Sequence, residues 1–149
     1  MARTRTPRTT TPDPGEEARL LETREVTPGR HLLTWAAPTV ARGVQPGQFL
    51  HLLAPRTQGL LLPVVQVSGV ERVAGTITTL VASWPGSVAG LVALREGEAA
   101  RFDGPLGRGL VIDPRSRYLL VIADVQSFGR VRAVVDEAVA SGRQVTVLL

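Results

Sequence analysis

From Ala18 onward, apolar runs in this chain are no longer than a single β-strand, and glycine or proline closes most of them. The 149 residues include fifteen glycines and eleven prolines. Runs of about four to eight residues bounded by such breakers fold as strands. Ala18 to Val26 reads as a first strand, followed by a Pro28-Gly29 turn. His31 to Ala36 is the second. Pro46-Gly47 turns the chain into Gln48 to Leu53, the third. Leu60 to Val67 and Thr76 to Ser83 are the fourth and fifth, and Glu98 to Phe102 is the sixth. Six strands at this spacing predict a small antiparallel Greek-key barrel, with an open two-sheet sandwich as the alternative.

The pattern then changes. Ser87 to Leu94 carries Val88, Leu91, Val92 and Leu94 at helix-like spacing, and Gly104 to Gly109 reads as a loop. Tyr118 to Ala123 is a continuous apolar run, the mark of a buried parallel strand. Arg130 to Ala140 repeats Val131, Val134, Val135, Ala138 and Val139 as an amphipathic helix, ended by Ser141-Gly142. Val145 to Leu149 reads as a second buried strand, which makes a β-α-β unit. The expected fold is mainly β with an α/β tail. Residues 1–17 are a disordered basic tail, 18–112 the barrel, and 113–149 a partial nucleotide-binding-type unit.

Composition removes whole classes of chemistry. There is no cysteine, so disulfides, thiolate nucleophiles and cysteine-held iron–sulfur clusters are excluded. Two histidines, His31 and His51, cannot build a His-rich metal site. Lysine is absent, so all 17 basic residues are arginine and no Schiff-base or P-loop lysine exists. The net charge is +4, of which Arg3, Arg5 and Arg8 supply three, leaving +1 for the rest. A nucleic-acid surface needs a clustered basic face, and the body has none. Only the tail could act as an electrostatic arm for RNA or an acidic partner. No run reaches the roughly 18 residues of a membrane helix, and the N-terminus lacks the apolar core of a secretory signal. The expected location is cytoplasmic.

Five segments, in order, resemble the ferredoxin reductase-type FAD-binding family, and within it the electron-transfer subunit of dihydroorotate dehydrogenase. Pro46-Gly47-Gln48-Phe49 is similar to that family's P-G-Q-F, and Gly75-Thr76-Ile77-Thr78-Thr79-Leu80 to its G-T-L-T-L strand. Pro85 to Leu91 and Leu94 to Glu98 resemble its G-T-x-x-L and L-x-x-G-D segments. Gly104-Pro105-Leu106-Gly107-Arg108-Gly109 is similar to its G-P-L-G-x-G-F. The resemblance implies an FAD-binding barrel, a nicotinamide-binding α/β domain and flavin-dependent electron transfer. For the dihydroorotate subunit it also implies a [2Fe–2S] cluster and a place in pyrimidine biosynthesis.

Within that resemblance, the FAD groove falls on Pro63, Val65, Gly86, Ser87 and Val88. The family's Arg-Pro-x-Ser motif reads Leu62-Pro63-Val64-Val65 here. The arginine that pairs with the FAD pyrophosphate has become Leu62, and the flavin-bonding serine has become Val65. A charge-assisted phosphate contact contributes about 1.5–3 kcal/mol, so its loss weakens binding roughly ten- to a hundredfold. Ser87 keeps a hydroxyl where the family's Gly-Thr meets pyrophosphate, or is an ordinary N-cap. The family's Gly-Gly-x-Gly turn reads Asp124-Val125-Gln126-Ser127-Phe128-Gly129, where Asp124 puts negative charge at an anion site, or else Ser127 or Asp124 simply caps the helix. No cluster segment is seen, and a two-stranded parallel unit cannot bury both its faces.

These departures predict a module with weakened or lost FAD and NAD binding, acting as an accessory subunit. The alternative is a functional FAD-dependent electron-transfer subunit. The apolar edge at Val145 to Leu149 predicts pairing with another protein chain or a second copy. His31, His51, Trp35 and Trp84 read as packed strand residues before they read as flavin contacts. Asp136-Glu137 with Arg132, and Asp113 with Arg115, read as solvated pairs.

Overall fold

A computed structural model describes residues 15–55, 63–82, 89–124 and 127–149. Residues 1–14, Leu60 to Leu62, Trp84 and Gly86 to Val88 lie outside the described residues, whereas Glu16 and Glu17, expected in the disordered tail, open the first strand because they pair with Phe102 and Arg101. Six strands form a closed, wholly antiparallel barrel: β1 (Glu16–Thr27), β2 (Arg30–Ala36), β3 (Phe49–Leu53), β4 (Val64–Glu71), β5 (Thr76–Ala82) and β6 (Ala99–Leu106). Their order around the barrel is β1-β2-β5-β4-β3-β6, with β6 returning to β1. This is the expected barrel rather than the sandwich. Among the described residues three helices accompany it: α1 (Pro38–Gly43), α2 (Ala89–Val92) and α3 (Phe128–Ala140). None among the described residues is long and apolar enough to cross a membrane.

Period-two alternation fixes which side chains fill the barrel. Ala18 and Leu20, Leu33 and Trp35, Leu50 and Leu52, Val65 and Val67, Ile77 and Val81, and Ala100 and Phe102 all point inward. Trp35 meets Phe102 edge-to-face at 5.1 Å between ring centroids. The Trp35 indole N–H donates to the Thr79 hydroxyl at 3.0 Å, so the core's largest ring keeps its one polar group satisfied. Trp35 is therefore a core residue. His31, on β2 opposite Val81, belongs to the barrel wall.

Helix α1 follows β2 and has no counterpart in the sequence reading. Pro38 opens it, but its caps come from far away. The Glu16 carboxylate accepts from the Thr39 and Val40 amides at 2.9 and 2.8 Å. The Arg72 guanidinium donates to the Ala41, Arg42 and Val44 carbonyls at the other end. Both ends of a six-residue helix are thus satisfied by side chains from β1 and from the end of β4.

The expected loop from Gly104 to Gly109 needs correcting. Its first three residues continue β6, because Leu106 pairs with Phe49 while Asp103 pairs with His51. One extra residue is accommodated there as a bulge, and Gly104, at φ +136°, takes a conformation closed to side-chain-bearing residues.

The tail is the expected β-α-β unit. β7 (Tyr118–Ile122) pairs in parallel with β8 (Gln144–Leu148), and α3 crosses between them. Ala133, Val134 and Ala138 form the buried face of α3, whereas Val139, expected on that face, is exposed. The two strands are not the buried strands their composition suggested. Tyr118, Leu120, Ile122 and Leu148 are 74, 60, 74 and 52% exposed. Leu119, Val121, Val145 and Val147 alternate with them and are half-buried. One helix covers one face, and no described element covers the other.

The buried Trp35–Thr79 bond makes a direct prediction. Thr79→Val keeps the shape but strands the indole N–H, at a cost of about 1–3 kcal/mol. Chemical denaturation should show that loss, with a melting temperature lower by roughly 2–4 °C per kcal/mol.

Candidate functional site

The register of three strands assembles a surface on the barrel's outer wall. Phe49 on β3 stands opposite Gln66 on β4, and Gln66 opposite Leu80 on β5. His51, two residues beyond Phe49, pairs with Val64. The neighbours of these residues point inward, so their own side chains face outward. Phe49 and His51 meet edge-to-face at 6.2 Å. His51 Nδ1 and Gln66 Oε1 are enclosed without a hydrogen-bond partner among the described residues. Leu80 is covered by Gly129, and a Cβ at Gly129 would collide with the Leu80 side chain. The first turn of α3 is therefore seated on the barrel wall itself.

Two segments quoted above for their resemblance, distant in sequence, meet here. Gln48 Nε2 donates to the Gly107 carbonyl at 3.0 Å, and the Leu110 amide donates to the Pro46 carbonyl at 2.7 Å. Phe49 lies against Gly107, where a Cβ would come within 2.9 Å of its ring. The Pro46-Gly47-Gln48-Phe49 and Gly104-to-Gly109 segments thus form one packed corner. Their glycines serve close backbone approach, in line with a structural reading of that loop.

Pro63 and Val65 are the two proposed FAD-groove residues that the structure describes. Both are buried. The Pro63 carbonyl accepts from the Leu52 amide at 3.0 Å, and Val65, paired with Leu50, is 2% exposed inside the barrel. Neither carries a polar side chain. Val64, between them, is the residue facing out, at 57% exposure. The remaining groove positions, Gly86, Ser87 and Val88, and the arginine position Leu62, lie outside the described residues.

At the start of α3 the Asp124 carboxylate accepts from the Ser127 amide at 2.5 Å, and the Asp124 carbonyl accepts from Phe128 at 3.0 Å. Ser127 makes no side-chain cap. Of the two capping residues expected, Asp124 does the work. Its carboxylate therefore brings a negative charge to the start of α3.

Sequence reasoning missed a second concavity. A cleft of about 730 Å³ opens at the far end of β4, between Gly69, Arg72 and Thr78 on the barrel and Arg132, Ala133 and Asp136 on α3. Its arginines are already engaged. Arg72 holds the α1 carbonyls and lies 4.0 Å from Glu137, while Arg132 pairs with Asp136 at 3.5 Å. The Arg132–Asp136 pair has the i,i+4 spacing read from the sequence. Among the described residues, no group of three His, Asp or Glu side chains is placed to hold a metal.

Asp113 and Arg115 form a forked pair across Pro114, with contacts of 3.2 and 2.9 Å and a further bond from the Arg115 amide at 2.9 Å. These bonds, first the guanidinium and then the amide, hold the Asp113 carboxyl below its ordinary range.

No protein-family model and no curated protein matches the sequence. Solved structures do match. The chain superposes on an NADH-dependent reduced ferredoxin-NADP oxidoreductase with a TM-score of 0.73 at 18% identity, covering 87% of this chain and 46% of the other. The ferredoxin reductase of carbazole 1,9a-dioxygenase gives 0.73 at 16%, covering 88% and 40%. A ferredoxin-NADP+ reductase from Neisseria gonorrhoeae with bound FAD and NADP gives 0.67 at 15%, covering 91% and 56%. The chain has the ferredoxin reductase-type fold. It spans about half the length of these structures.

Two predictions follow from these contacts. Gly129→Ala should push α3 off the wall and cost about 1–3 kcal/mol, the scale of overpacking. Adding Leu80→Ala should return part of that loss, as a double-mutant cycle by denaturation would register. Asp113 should titrate below an ordinary aspartate, as followed by its side-chain carbonyl NMR signal, and Arg115→Ala should bring it back up. Because the folded pKa is depressed, the pair's stabilisation is present above the unfolded pKa. It is lost as pH falls through the folded one.

Proposed function

We propose that this chain is a ferredoxin reductase-type module, related to the electron-transfer subunit of dihydroorotate dehydrogenase, with weakened or lost FAD and nicotinamide binding. It serves as an accessory subunit to another chain in the cytoplasm. The division into a barrel over 18–112 and an α/β unit over 113–149 belongs to the same reading. The observation that carries it is Val65. At the position the resemblance gives to a flavin-bonding hydroxyl, an aliphatic side chain is packed inside the barrel core. The Asp124 carboxylate at the start of α3 supports the same conclusion for a nicotinamide nucleotide. The residues present at these two points do not fit a dinucleotide, so no electron-transfer step is derived through one.

Electron transfer remains the chemistry from which the module descends in this reading. The matched structures are reductases, and one of them is described with FAD and NADP bound. An absorption spectrum of the purified protein is the direct test. The expected result is a colourless protein whose melting temperature FAD does not raise. Flavin bands near one equivalent per chain would overturn the reading and restore the functional FAD-dependent subunit.

A rescue variant probes the groove more closely. Leu62→Arg with Val65→Ser returns the guanidinium and hydroxyl the family uses. With position 65 inside the core, the expected outcome is destabilisation by several kcal/mol and no flavin bound. An FAD-dependent rise in the variant's melting temperature would show an unlined groove rather than a closed one.

A further inference from the structure

Among the described residues, β7 pairs only with β8, which leaves its outer edge without a ladder partner. Edges of this kind are ordinarily blunted by charge, proline or a bulge. From Tyr118 to Ala123 this strand carries none of these. Its exposed column is Tyr118, Leu120 and Ile122, and the neighbouring β8 column adds Gln144, Thr146 and Leu148, so the face is free of charge.

We propose that β7 pairs antiparallel with β7 of a second copy of this chain, across a two-fold axis at Leu120. The column is self-complementary about that residue. Leu120 meets its own counterpart, and Tyr118 meets Ile122 of the other copy twice, an aromatic–β-branched pair of the favourable kind. On the opposite face Leu119 meets Val121. Beyond the strand, Arg117 falls opposite Ala123, one residue from Asp124, so like charges do not face each other across the axis. Self-pairing of β8 lacks this match, because centring on Thr146 sets Gln144 against Leu148. The product is a four-stranded sheet, β8-β7-β7-β8, with an isologous interface. It gives a marginal two-stranded ribbon the extra strands that a stable sheet needs.

This inference rests on the partner-chain part of the reading above and is independent of flavin. A spectrum tests the one, and a mass measurement tests the other. Sedimentation equilibrium of the full chain at tens of micromolar should give a concentration-dependent dimer. Leu120→Lys and Leu120→Glu each put like charges face to face at the axis and should weaken association at least tenfold, about 1.4 kcal/mol. Mixing the two variants should restore a dimer, because lysine then faces glutamate. Thr146→Lys should leave the mass unchanged. Leu120→Cys offers a second readout in a chain that has no cysteine of its own. Oxidation should trap it as a disulfide dimer, whereas Thr146→Cys should dimerise like the wild type without being cross-linked. A monomeric wild type would overturn the proposal. So would charged variants that still pair, a mixture that does not, or a Thr146 variant that dissociates or cross-links in place of Leu120.

Discussion

Pairing of β6 with β1 closes the six-stranded sheet on itself, and most of the molecule's organisation follows from that closure. A closed sheet has no unpaired edge and one enclosed interior. Small residues at Ala18 and Ala100 leave room for Trp35 and Phe102, whose contact fills the interior. Once the interior is full, anything else the chain does must happen on the outer wall or on the β7–α3–β8 unit. Those are the places where unsatisfied polar atoms, an uncovered sheet face and free edges occur.

The barrel was legible because its signal is local. Alternation and Gly-Pro punctuation mark each strand, whereas the ladders of β2 with β5, β3 with β6 and β1 with β6 join strands that are not consecutive in the chain. The β-α-β unit was legible for the same reason, through a change of period. α1 was hidden because neither of its caps is nearby: Glu16 and Arg72 lie more than twenty residues from the amides and carbonyls they satisfy. The extension of β6 through Gly104 and Pro105 was hidden because its reason is the register against β3, a property of two strands together. Burial of β7 was misjudged because an apolar run reports what a strand prefers, while the covering layer is supplied by other elements.

The candidate site divides in the same way. The residue types at Leu62, Val65 and Asp124 were readable as departures from a flavoprotein pattern. Their consequences were not. That Val65 faces the core, and that Asp124 rather than Ser127 occupies the helix amides, depend on strand phase and turn geometry. The enclosed atoms of His51 and Gln66 carried no sequence signal, since each becomes notable only when the register sets them on adjoining strands. A fold supplies positions, and the side chains at those positions decide the chemistry. Here the corner that joins β3 to the end of β6 is closely packed, Val65 puts an aliphatic side chain in the core, and Asp124 puts a carboxylate at the start of α3.

Gly129 also sets how strain travels in this molecule. Because it has no side chain, the backbone of α3 rests directly on Leu80 of β5. Close-packed contacts of this kind leave little slack for a small shift. A displacement of α3 is therefore felt at β5 through that seat, and a load on the β7–α3–β8 unit reaches the barrel wall without an intervening cushion of side chain.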